Sequence, residues 1–146
     1  MNTQRWAVTT DPTWEPVTLA EAKEHMRVDH TDEDAIISEL IRAAREYLEG
    51  VLGRSLPQQT LTAYFSTFWN IMGLPRAAPL QSVSAVKYLD SDGVLQTLDS
   101  ASYTVYDYAT PAEVRLAYNQ SWPTHRVTTD PVLVEYVAGY SAPDAV

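Results

Sequence analysis

The side chains most capable of chemistry crowd into one short stretch. "VDHTDED", residues 28–34, holds Asp29, Asp32, Glu33 and Asp34 around His30, with His25 just upstream. These are metal-ligand and acid–base types. A catalytic zinc site on a helix sets its histidines on one face, as in H-E-x-x-H. His25 and His30 instead straddle a predicted helix break. The same residues also read as a helix start. Thr31 and Asp34 fit the capping-box pattern [ST]-x-x-[DE], and acidic side chains in a first turn are favourable against the helix macrodipole. The helix-start reading is preferred. A metal-dependent hydrolase built on His25, His30 and nearby carboxylates is the least favoured alternative.

Other chemical patterns fail on spacing. "DSDG" (90–93) opens like a calcium loop, but the fifth and twelfth positions are Val94 and Ala101, where oxygen ligands are required. Asp92-Gly93 suits a hairpin turn instead. No G-x-S-x-G elbow, G-x-G-x-x-G fingerprint or phosphate-binding loop is present. With no cysteine, a disulfide scaffold, a thiolate zinc site and a cysteine nucleophile are excluded. No catalytic, cofactor-binding or metal-binding residue is assigned. Trp6, Trp14, Trp69 and Trp122, with nine tyrosines, leave open a small binding module for a saccharide or peptide. The preferred use of these aromatics is strand packing.

The elements that carry these residues are legible. "VTLAEA" puts Thr18 at an N-cap with Glu21 three residues on, a capping box. This predicts a first helix over about 18–28. From Asp32 to Leu52, apolar residues recur at 36, 37, 40, 41, 44, 47, 48 and 51, which predicts a second helix over about 32–52 with one broad buried face. Arg42, Arg45, Glu46 and Glu49 fall on its other face, with i,i+4 pairs that contribute a few tenths of a kcal/mol at most. Gly50 and Gly53 offer C-terminal caps. Strands are predicted at 60–68, 83–89, 94–98, 103–108, 113–117 and 132–140, rich in Val, Tyr and Thr. The expected class is α+β: an N-terminal helical hairpin followed by a small antiparallel sheet.

A chain of 146 residues fits one domain, with a helical part at 15–56 and a β-rich part at 60–140. No apolar run reaches membrane-spanning length, and no signal-peptide core is found. The formal net charge is −9, with no basic cluster. Holding DNA requires several cations against the phosphates, so nonspecific DNA binding is not expected.

The ordered string "EPVTLAEAKEHMRVDHTDEDAIISELIRAAREYLEGVLGRSLPQQT" resembles the N-terminal part of the tailed-bacteriophage head–tail connector family. These are also called adaptor or head-completion proteins, and similar ones occur in prophages and gene transfer agents. "LPRAAPLQSVSAVKYLDSDG", Trp122-Pro123 and "VEYVAGY" extend the resemblance over residues 15–140. It implies a structural virion protein at the head–tail junction, made in the bacterial host cytoplasm. The implied assembly is a homo-oligomeric ring joining the portal protein to the tail or a stopper. DNA would pass through its channel without specific binding, and no enzyme activity, cofactor or membrane is implied. The charged face of the second helix, Arg42, Arg45, Glu46 and Glu49, is the expected subunit interface. Similar proteins continue past "AGY" into an apolar helix, where this sequence runs to "SAPDAV".

Overall fold

The structure, a computed structural model, describes residues 5–142. The end of "SAPDAV" therefore lies outside the described residues. The fold is α+β, with two helices and two antiparallel sheets.

Strand β1 (Arg5–Thr10) comes first, followed by α1 (Leu19–Met26) and α2 (Asp34–Leu52). The helical pair thus does not open the chain, a difference from the expected order. "RWAVTT" is too short to declare itself by period, and it gains its partners from β2 (Gln59–Phe65), with Trp6 opposite Ala63 and Val8 opposite Leu61.

The remaining strands are β3 (Ile71–Gly73), β4 (Leu80–Leu89), β5 (Leu95–Thr97), β6 (Tyr103–Tyr106), β7 (Glu113–Leu116) and β8 (Val132–Ala138). The larger sheet runs β1-β2-β8-β4-β5 and the smaller β3-β7-β6. In β8, Val132, Val134, Tyr136 and Ala138 are buried in strict alternation, the period-2 pattern of a strand with one core face. They stand opposite Phe65, Ala63, Leu61 and Gln59 of β2. Met72 and Val114 of the smaller sheet join the same buried cluster. The two sheets therefore share one core, and it is a core without helical residues.

The helices are bounded as their end residues dictate. Thr18 and Glu21 form the predicted reciprocal cap: Glu21 N–H donates to Thr18 Oγ1 at 3.2 Å, and Thr18 N–H donates to Glu21 Oε2 at 2.8 Å. Gly53, at φ +62°, closes α2 in the left-handed region that glycine adopts without strain, while Gly50 stays helical. "DSDG" turns the β4–β5 hairpin as expected, with Gly93 at φ +84°.

Candidate assembly surface

Arg42, Arg45, Glu46 and Glu49 of α2 separate into two unlike pairs. Arg42 and Glu46 are exposed and joined at 2.9 Å. Glu46, beside it, raises the Arg42 pKa from its ordinary value. Arg45 and Glu49 are buried, at 5% and 1% exposure. Arg45 Nε donates to Glu15 Oε2 at 2.8 Å, and its terminal nitrogen Nη1 reaches Glu49 Oε2 at 3.1 Å. Glu49 Oε1 accepts from the Leu56 backbone N–H at 2.8 Å and from Gln59 Nε2 at 2.9 Å. Arg76 Nη1 lies 3.4 Å from Glu49 Oε2, and its guanidinium lies 4.3 Å from the Trp6 ring centroid.

The charged side of α2 is thus exposed at Arg42 and Glu46 and buried within the chain at Arg45 and Glu49. The reason is local. The C-terminal half of α2 lies against the chain entering β2, where a backbone N–H and a glutamine amide need acceptors away from water. A carboxylate supplies both, and two arginines balance its charge. Glu15, Gln59 and Arg76 complete this hub from three other segments, and no local spacing in the sequence announces them.

The apolar face of α2 is displaced in the opposite sense. Only Ile37 is buried, with Ile41 half-buried, whereas Ile36, Leu40, Tyr47, Leu48 and Val51 are exposed. The expected fully buried face is thus corrected. At 1.5 Å per residue, eight-residue α1 can cover under half of nineteen-residue α2. That mismatch in length was the available signal. Between the two helices runs an open apolar groove of ≈ 310 Å³ whose walls include Val17, Met26, Leu40 and Leu48.

The opening acidic stretch is a joint between helices. α2 starts at Asp34 behind Glu33, and no side chain caps it, so the predicted Thr31–Asp34 capping box does not form. Asp34 N–H bonds to the Thr31 carbonyl at 3.2 Å instead. The Asp34 carboxylate turns to Lys23, whose ammonium also reaches the His30 carbonyl at 2.6 Å. A cross-joint ion pair has taken the place of the cap. Among the described residues no group of His, Asp and Glu has metal-binding geometry.

The tryptophans have different settings, and Trp69 is exposed in the loop between β2 and β3. Trp6 lies beneath Arg76 on β1, and Trp14 lies ahead of α1. Trp122 stacks on Phe68 with centroids 4.7 Å apart, in a cluster with Tyr88 and His125. No described helix is long and apolar enough to cross a membrane.

Comparison with known proteins follows the same lines. Residues 16–89 match the family described as "Phage gp6-like head-tail connector protein". No curated protein matches. The fold is similar to a chain in the neck of an empty GTA particle computed with C6 symmetry. That match has TM-score 0.75 and 23% identity, over 94% of this chain and 72% of that one. A chain in the virion of a native gene transfer agent particle matches at TM-score 0.69 and 22% identity, over 92% and 73%. A chain in the neck of a native GTA particle computed with C12 symmetry matches at 0.63 and 22%, over 92% and 71%. At these identities the likeness is one of fold.

Proposed function

The chain belongs to the phage head–tail connector family, and on that premise we propose that it is a ring-forming subunit joining the portal vertex to the tail or to a stopper protein. It is a structural protein of the head–tail junction of a virion rather than an enzyme. The observation that carries the proposal is the family match, which runs unbroken from the α1 cap through both helices into β4.

Two further observations support the finer parts. Similar folds occur in particle necks treated with C6 and C12 symmetry, where copies repeat about an axis. That is the arrangement a ring requires. The net charge of −9 suits a subunit that surrounds DNA without holding it, because a ring of acidic walls repels phosphate. The chain would act as one connector domain. Of Arg42, Arg45, Glu46 and Glu49, Arg42 and Glu46 stay accessible for subunit contacts, at the rim of any such interface.

Cryo-electron microscopy of particles containing this chain tests the proposal. Density for it is expected as a closed ring between portal and tail. Density elsewhere in the particle would sink the idea.

A further inference from the structure

The exposed apolar area of α2 lies on the side of the helix away from the buried Arg45–Glu49 pair. Ile36, Leu40, Tyr47 and Val51 are spaced by four, seven and four residues, which places them on one stripe along the helix. Across the groove to α1 the apolar surface continues through Leu48, Met26 and Val17. These seven residues are 46–73% exposed. Together they present on the order of 800 Å², more than the largest apolar patch of a typical monomer. That matches what each partner buries in a stable interface of standard size.

We propose that this stripe, rather than the charged side of α2, is covered by a second copy of the chain. The proposal rests on the ring reading above and identifies one of the two different patches that a ring contact joins. The ring reading supplies a like copy as the occupant, because the subunits of a ring meet side by side. Each chain carries −9, which opposes the approach of two copies, so a contact between them has to be driven by apolar burial. The seven side chains of the stripe carry no charge, and at its edge stand the exposed Glu39 and the Arg42–Glu46 pair. Burying it removes apolar surface from water, and that gain works against the repulsion between two acidic chains.

The salt response separates this interface from an ionic one. Ion pairs across an interface weaken as salt screens them, whereas an apolar contact between two acidic bodies strengthens as their repulsion is screened. Sedimentation velocity and native mass spectrometry of the purified chain, across a concentration series, read this directly. Self-association should tighten several-fold between about 50 mM and about 500 mM NaCl. The double variant Leu40→Gln/Val51→Gln should weaken it at least about 30-fold at every salt concentration, the loss of two well-packed contacts. Arg42→Ala/Glu46→Ala should change it less than about 3-fold, as exposed pairs do. All four positions are exposed, so folding is checked by circular dichroism and thermal melts rather than assumed.

Stripe variants that associate like the parent would overturn the proposal. So would association that salt weakens and Arg42→Ala/Glu46→Ala abolishes. A parent chain that stays monomeric throughout would overturn it too, and would leave the junction assignment standing, because that is decided separately in the particle.

Discussion

A Cβ at Gly139 would press against the Pro57 carbonyl group and come within 2.9 Å of Gln58 Cα. This glycine, at φ +105°, sits where β8 ends beside the chain entering β2. Its N–H donates to the Pro79 carbonyl at 2.9 Å, and the neighbouring Tyr140 N–H donates to the Leu56 carbonyl at 2.8 Å. Three segments thus meet at a point with no room for a side chain. Gly139→Ala is expected to cost at least about 2 kcal/mol, from the unfavourable φ and the backbone collision together. The measured consequence is a Tm lower by about 5–15 °C; a melt within two degrees of the parent would refute it. Asp90 makes a different kind of residue-scale prediction. Hydrogen bonds from the Gln96 side chain and from the Val94 and Asp92 backbone N–H groups hold its carboxyl below the ordinary aspartate value. A carboxyl depressed in the folded state binds its proton more readily once unfolded. Its contribution is therefore complete above the ordinary aspartate pKa and is lost as pH falls through the depressed one. Amide signals of Val94 and Asp92 followed by NMR should titrate with a midpoint below that of an unstructured aspartate. A midpoint at or above it would show that these bonds do not favour the charged form.

At the scale of elements, α2 divides what patterning could show from what it could not. Its existence, its length to within two residues and its glycine stop were legible in the apolar period and in Gly53. The cap of α1 was legible because both partners lie within one turn. Which face of α2 turns inward was not legible, because period describes a helix and not its neighbour. Charged residues at 42, 45, 46 and 49 look alike in sequence. Only the arrival of Leu56, Gln59 and Arg76 distinguishes Glu49 from Glu46. The short strands β1 and β3 were missed for a related reason, since three to six residues gain their structure from the strand beside them. The buried hub should dominate the attachment of α2 to the sheet. Glu49→Ala leaves Arg45 and Arg76 without a shared carboxylate and the Leu56 N–H without its acceptor. It is expected to cost about 3–5 kcal/mol. Arg42→Ala, about two turns away on the exposed side, should cost about 0.5 kcal/mol or less. Urea unfolding of the two variants gives the comparison directly, and equal losses would contradict the division of the four charges into a buried and an exposed pair.

For the molecule as a whole, stability and assembly are segregated. The shared core lies between the two sheets, and every residue of its buried cluster comes from β strands or the loops joining them. α1 buries none of its own residues, and α2 buries Ile37, Arg45 and Glu49. The helical end is therefore held by a few polar and apolar anchors, while the sheet end is held by continuous packing. The match to the connector family, residues 16–89, takes in both helices and strands β2 to β4, so it spans both the anchored helical end and part of the packed sheet core. Segments with little buried apolar contact open at lower free energy than the core. In the isolated chain, amides of α1 and of the N-terminal half of α2 should exchange with deuterium at least about 100-fold faster than those of β2 and β8, a gap of about 3 kcal/mol in opening free energy. On assembly the ordering should narrow, because covering the α2 stripe adds burial where the monomer lacks it, while the sheet core gains nothing. Hydrogen exchange on free chain and on assembled particles measures both states. Protection that rises in α1 and α2 but not in β2 and β8 is the expected signature. Uniform protection in the free chain would mean that the helical end is held by something other than the contacts described, and that assembly has no open face to complete.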